Sequence, residues 1–486
     1  MSDETFLWYD FETFGADPRR DRPAQFAARR TDAALDPIGE PEMIYCRPAD
    51  DMLPQPMACL ITGISPQTAR ERGLPENEFA ERISELMSRP RTCSVGYNNF
   101  RFDDEVARHM FWRNFIDPYA REWANGNSRF DLIDLMRMTR AVRPDGIEWP
   151  DYDDGRPSFR LEDLAAANGL DTSRAHDALA DVDATIAMAR LVRKHQPKLW
   201  AWALDLRNRD RIDRMLGQQE PLLHASSRFP ALPGCGVAPI VALGRHPRFA
   251  SQWLAWNLNV DPTPFLDLTA GELSDRYWTA SADLPEGVSR VPVKLIRNNR
   301  CPILAPMNVL ADSRAEALGI EPAKLHERAG LVAQRPDFVE RLNTLFAGSG
   351  SQAGSADPEL DLYGGFPPGS DRPVIQRVQG LEPGQLARMH APFRDERLNE
   401  LLFRYRARLW PETLTATERE DWEQYRRRRL IDDPELGSVR LPEYEDQLKT
   451  LMMERPGEAV LLRQLAEWPS EIKAPRYDDG AKTENQ

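Results

Sequence analysis

The stretch Leu7-Trp8-Tyr9-Asp10-Phe11-Glu12-Thr13-Phe14-Gly15 decides how the first domain is read. Its apolar and β-prone residues predict a strand over 7–14. Side chains of a strand alternate between its two faces, so Asp10 and Glu12 share one face, while Leu7, Tyr9 and Phe11 share the other. Two carboxylates side by side repel and are costly to desolvate. A cation between them removes that cost, and hard cations such as Mg²⁺ take carboxylate oxygens. An isolated Asp-x-Glu is more often a solvated strand end, so the reading depends on acidic residues elsewhere in the chain.

There are two further acidic points. In Gly96-Tyr97-Asn98-Asn99-Phe100-Arg101-Phe102-Asp103-Asp104-Glu105 an apolar strand ends near Tyr97 and a helix begins at Asp103. Acidic residues in a first helical turn are common by themselves. In Ala175-His176-Asp177-Ala178-Leu179-Ala180-Asp181-Val182-Asp183 the histidine stands at a loop-to-helix junction. Asp181 lies too far inside the helix to be its N-cap. Phosphodiester hydrolysis needs an activated water and stabilised charge on the phosphate and leaving oxygen. A pair of divalent ions supplies both, and histidine, with an ordinary pKa of about 6.5, suits proton abstraction near neutral pH.

In order along the chain these points read D-x-E, N-x-x-F-D and H-x4-D, a pattern that resembles the DEDDh group of 3′–5′ exonucleases. The resemblance implies Asp10, Glu12, Asp103 and Asp181 as ligands of two Mg²⁺ ions, with Mn²⁺ as a substitute, and His176 as general base. It is closest to bacterial exodeoxyribonuclease I. Gly96–Glu105, Asp117-Pro118-Tyr119, Asn127-Ser128-Arg129, Pro157–Glu162, Ala175–Ala178, Val291–Leu295 with Cys301-Pro302, and Leu401–Phe403 with Tyr405–Arg408 carry it to about residue 472. The implied fold class is α/β: a ribonuclease-H-like domain with a mixed central sheet, then an SH3-like β-barrel domain and a helical C-terminal domain. The implied activity is Mg²⁺-dependent, processive 3′–5′ degradation of single-stranded DNA to 5′-mononucleotides, in repair, recombination and mismatch repair. The implied partner, besides DNA, is the acidic C-terminal tail of single-strand DNA-binding protein. Glu12 and Arg160 are expected to touch substrate, as are Arg108, Tyr119 and Trp123. Aromatic side chains can stack bases without regard to sequence; packing in a core is the other reading for Tyr119 and Trp123.

Composition sets the frame. A chain of 486 residues with 41% hydrophobic content has room for two to four domains. The net charge of −14 argues against a general nucleic-acid coat protein. Residues 201–350 nevertheless hold 17 Lys/Arg against 16 Asp/Glu, so the acidic excess lies in the flanking regions. The five cysteines are scattered and never form C-x-x-C, as in a reduced cytoplasmic protein without a zinc site. No signal pattern or membrane span is read, and a cytoplasmic monomer is expected.

The α/β alternation stops near residue 197. The boundaries expected are 1–197 for the exonuclease domain, 198–346 for the SH3-like domain, 347–373 for a Gly/Ser/Pro-rich linker, 374–473 for the helical domain and 474–486 for a disordered tail. The pattern also predicts helices near 103–115 and 129–142 and a long one over 177–204. The run Arg426–Arg429 reads as a solvated helix face, with DNA phosphate or an acidic tail as the other candidate contact. Competing functions are a 3′–5′ exoribonuclease of the same superfamily and a non-catalytic single-strand-binding scaffold. The length of the chain favours the DNA reading, and the intact acidic positions disfavour the scaffold.

Overall fold

The computed structural model describes residues 4–170, 177–348 and 355–475. Its first sheet is mixed. Strand β1 (Thr5–Thr13) lies at the centre, antiparallel to β2 (Pro23–Thr31), which pairs antiparallel with β3 (Glu42–Tyr45). On its other side β1 runs parallel to β4 (Thr92–Gly96), and β4 parallel to β5 (Ser128–Asp131). The alternation expected of β1 is what it shows. Phe6 and Trp8 join the core with Val182, Ile186 and Ala189 of the Ala178–His195 helix. Leu7, Tyr9 and Phe11 pack against Phe79 and Ile83 on one helix and Val106 and Met110 on another, Asp103–Arg113. Both faces of β1 are therefore covered, and Asp10 and Glu12 continue the Phe6–Trp8 row.

The strands of a second sheet are β6 (Leu222–Ala225), β7 (Val237–Arg245), β8 (Gln252–Asn257), β9 (Val293–Arg297) and β10 (Leu304–Pro306). They pair in the order β10-β6-β7-β8-β9, antiparallel throughout. Trp256 packs on Phe265 and Phe338 at its centre. The third region is helical, with Glu396–Leu409, Ala416–Arg427, Leu441–Glu454 and Ala459–Glu471. No helix among the described residues is long and apolar enough to cross a membrane.

The structure corrects several expectations. The helix expected over 129–142 begins at Leu132, because Ser128–Asp131 is a strand and Asp131 caps the helix by accepting from the Ile133 N–H. The helix expected over 177–204 is two, Ala178–His195 and Pro197–Asp205. Pro197 disfavours helical backbone at Gln196, and it opens the second helix at its first position. The Gly/Ser-rich stretch is not slack throughout: Asp357, Glu359, Leu360 and Leu362 are buried. Arg426 and Arg429 are buried as well, donating to Ile472 O and Asp50 O and to Asp51 O and Leu436 O respectively. Half of the arginine run is thus structural, which excludes a wholly solvated face. The tail beyond residue 475 lies outside the described residues.

Candidate active site

Asp10 and Glu12 stand near the carboxyl end of β1, where sheet and helix termini meet. Asp181 comes from the first turns of the Ala178–His195 helix, which Asp177 caps by accepting from the Leu179 N–H at 3.1 Å. Carboxylate oxygens of Asp10, Glu12 and Asp181 lie within 4.8 Å of one another. Asp103 arrives from the opposite side of β1, as the first residue of its helix, and accepts from the Phe11 N–H at 3.0 Å. That bond fixes Asp103 to the peptide between Asp10 and Glu12.

Burial and mutual repulsion show in the acidities. Burial, then Asp181, pushes the Asp10 carboxyl up to about 7. Burial, then Asp10, Asp181, Asp103 and Asp177, pushes Glu12 up to about 9. Burial and Asp10 raise Asp103 well above its ordinary value, against two backbone hydrogen bonds that favour its ionised form. At Asp10 and Glu12 the protein gathers negative charge and, among the described residues, supplies little of its own to balance it. His176 lies outside the described residues; in the chain it directly precedes the cap residue Asp177.

Beside Asp103 the next carboxylate behaves oppositely. Asp104 is fully buried, accepts from the Tyr9 hydroxyl at 2.7 Å and is paired with Arg121 and Arg129. Burial opposes its ionisation, but Arg129, Arg121 and Arg108 hold the carboxyl far below the usual range.

The residues expected to meet substrate divide. Arg160 is exposed, at the N-cap of the Leu161–Ala167 helix, and pairs with Glu162. Trp123 is 68% exposed. Tyr119 is half-buried, its ring 5.9 Å from that of Phe366 and 5.4 Å from the Arg108 guanidinium. Arg108 departs from expectation: it is buried, with Nε on Glu122 at 2.8 Å and Nη1 on Glu105 at 2.7 Å. Its donors are spent inside the protein, so it shapes the surface under Tyr119 instead of offering a free guanidinium. Sequence reasoning missed Tyr363 and Phe366. Their signal was two aromatics in a Gly/Pro-rich stretch, and Phe366 is 85% exposed.

Fold and acidic cluster together define an exonuclease of the ribonuclease-H-like class, extended by two further domains. Family models agree region by region: an exonuclease model matches residues 7–189, the exonuclease I SH3-like domain 207–348 and the exonuclease I C-terminal domain 356–472. Exodeoxyribonuclease I of Escherichia coli (strain K12) is 44% identical over 473 residues, spanning 96% of this chain and 98% of its own. A moderately thermophilic exonuclease I from Methylocaldum szegediense superposes with a TM-score of 0.92 at 47% identity, covering 96% of this chain and 99% of that one. The zinc-ion-bound form of the E. coli exonuclease I–single-stranded DNA complex gives a TM-score of 0.90 at 42% identity, over 97% and 100%. The chain belongs to the exodeoxyribonuclease I family and is a nuclease.

Proposed function

We propose that this protein is a divalent-metal-dependent exonuclease that degrades single-stranded DNA processively from the 3′ end to 5′-mononucleotides, with Mg²⁺ as its working ion and Mn²⁺ as a substitute. The observation that carries the reading is the carboxylate cluster, with Glu12 buried and Asp10 and Asp181 partly buried, in which Asp10 and Glu12 are set by burial and by other carboxylates. An all-oxygen, anionic donor set suits a hard cation. A zinc-bound E. coli relative supports metal binding in the family.

Asp10, Glu12 and Asp181 would hold one ion, and Asp103 would complete the place of a second. When bound, such ions supply activation of water and neutralisation of charge on the phosphate. The chain's own contribution is position and proton transfer. The Phe11 N–H holds Oδ1 of Asp103 beside Asp10 and Glu12. The Asp177 cap starts the helix that aims Asp181. His176, next to that cap in the chain, takes the proton of the attacking water. Arg160 meets a phosphate of the strand, while Tyr119, Trp123 and Phe366 offer rings to bases, at about 1–3 kcal/mol per stacked base. Complexes of E. coli exonuclease I with single-stranded DNA support this substrate.

The cellular setting we infer is repair, recombination and mismatch repair, by a cytoplasmic monomer that docks on the acidic tail of single-strand DNA-binding protein. The near-neutral balance of residues 201–350 in an acidic chain favours that docking over the rest of the surface.

The test is product analysis on a 5′-labelled oligonucleotide, made as DNA and as RNA, with Mg²⁺ and with EDTA. A ladder shortening from the 3′ end on DNA, abolished by EDTA, is the expected result. Faster cleavage of RNA would move the protein to the exoribonuclease branch, and binding without cleavage would leave a scaffold.

A further inference from the structure

Glu105 stands two residues after Asp103, in the first turn of the same helix, and there all three regions of the molecule meet. From its own domain, Arg108 donates Nη1 to Oε1 at 2.7 Å. From the SH3-like domain, Arg300 donates Nη2 to the same oxygen at 3.0 Å. From the C-terminal region, the Tyr363 hydroxyl donates to Oε2. Glu105 and Arg108 are shielded, their side chains 14% and 6% exposed, while Arg300 and Tyr363 reach Glu105 from more open positions, 28% and 44% exposed.

The loop leading into Asp103 is gripped by the SH3-like domain and by its own domain. Arg300 Nη1 donates to Phe100 O at 3.1 Å, and its neighbour Asn299 accepts from Arg129 Nη2 at 3.2 Å. From beneath, Asp131 accepts the Asn98 N–H at 2.8 Å and the Phe100 N–H at 3.2 Å. Asn98 has φ of 63°, a left-handed turn conformation that asparagine tolerates. The backbone that presents Asp103 is therefore shaped by the SH3-like domain as well as its own, and the C-terminal region joins at the Glu105 side chain.

We propose that Glu105 is a positioning residue through which the SH3-like and C-terminal domains set the place of Asp103, so that metal affinity depends on how those domains are docked. This rests on the reading of Asp103 as a metal ligand.

The experiment is calorimetric titration of Mn²⁺ into the full-length protein without DNA, beside steady-state kinetics on a single-stranded oligonucleotide. Glu105→Gln keeps the side-chain volume but removes the charge that joins Arg108 and Arg300. Its Mn²⁺ dissociation constant should rise about tenfold, the usual scale for a group supporting a ligand. The KM for DNA should stay near that of the unsubstituted protein. Tyr363→Phe removes one hydroxyl and should act in the same direction by about threefold to fivefold. Because Tyr363 acts through Glu105, the double variant should bind Mn²⁺ no more weakly than Glu105→Gln alone.

Unchanged Mn²⁺ affinity in both variants, or effects that add fully, would overturn the proposal. So would a rise in KM alone, which marks ordinary DNA electrostatics. Should Glu105→Gln fail to fold, Tyr363→Phe decides. Asp103→Asn separates the two layers: retained affinity there refutes the ligand reading, while affinity lost there but unchanged in Glu105→Gln refutes only the positioning role.

Discussion

Two clusters of charge in this molecule, one partly and one almost wholly buried, use the same kind of side chain to opposite ends. In the first, carboxylate oxygens of Asp10, Glu12 and Asp181 lie within 4.8 Å of one another, and Asp103, held on the Phe11 N–H, adds to their repulsion. In the second, Asp51 and Glu359 are enclosed by Arg22, Arg404, Arg408 and Arg429, with Arg408 on Asp51 at 2.7 Å and Arg22 on Glu359 at 2.6 Å. All six of these residues are nearly or wholly buried. Burial by itself raises the carboxyl pKa in both places. At the second, Arg408, Arg429 and Arg22 outweigh burial at Asp51, and Arg22, Arg408 and Arg404 do so at Glu359, holding both well below the carboxylate range. Among the described residues nothing comparable acts at Asp10 and Glu12, and they rise to about 7 and 9. The same residue type is thus mortar in one place and an open demand for cations in the other. What separates them is whether the protein supplies the counter-charge.

The sharpest way to break the comparison is to neutralise one member of each cluster. Asp10→Ala should abolish cleavage and leave DNA binding largely intact, with folding unharmed in EDTA; normal turnover would remove Asp10 from the site. His176→Ala should lower the rate about 10²–10⁴-fold, as for a lost general base; an unchanged pH–rate profile would contradict that role. Asp51→Asn should do the reverse of Asp10→Ala. It strands buried arginines and should cost about 3–5 kcal/mol of stability, read by urea denaturation, with Mn²⁺ affinity kept.

The two clusters also set opposite pH slopes. Asp10 and Glu12 have folded values above their ordinary 3.8 and 4.5. The native state then holds more protons than the unfolded one, and stability from these groups falls as pH rises from about 4 toward 9. Asp51 and Glu359 have folded values below the ordinary ones, so their stabilisation is present above about pH 4 and lost as pH falls below it. Melting temperatures in EDTA should therefore decline at both ends. Mg²⁺ should restore the alkaline side and not the acid side, since ligand binding stabilises the state that binds. Equal Mg²⁺ shifts at pH 5 and pH 8.5 would count against the assignment.

Much of the first cluster was legible in the sequence, and little of the second. The period-2 row of β1 put Asp10 and Glu12 on one face without any tertiary knowledge. Asp181 stood out because an acidic residue sits there among Leu179, Val182 and Ile186. The second cluster is assembled from residues 22, 51, 359, 404, 408 and 429, whose pairs span from 29 to more than 300 positions. Locally, Glu359 comes after a Gly/Ser-rich stretch and reads as linker, and Arg429 ends an arginine run and reads as solvated. Arg108 misled in part for the same reason: Glu105 is its i,i+3 neighbour on the helix, but Glu122 reaches it only in the fold. Local pattern reports which face a side chain takes; counter-charge is decided at long range.

The central claim is that the first cluster stands ready for cations the protein does not provide. Its most direct test is calorimetric titration of Mn²⁺ at pH 7.5 in two buffers of different ionisation enthalpy. Ions that bind carboxylates with values near 7 and 9 must displace protons. The account predicts saturable binding with net proton release in the unsubstituted protein, and loss of both in Asp10→Asn. Binding without proton release, or binding unchanged by that substitution, would contradict it.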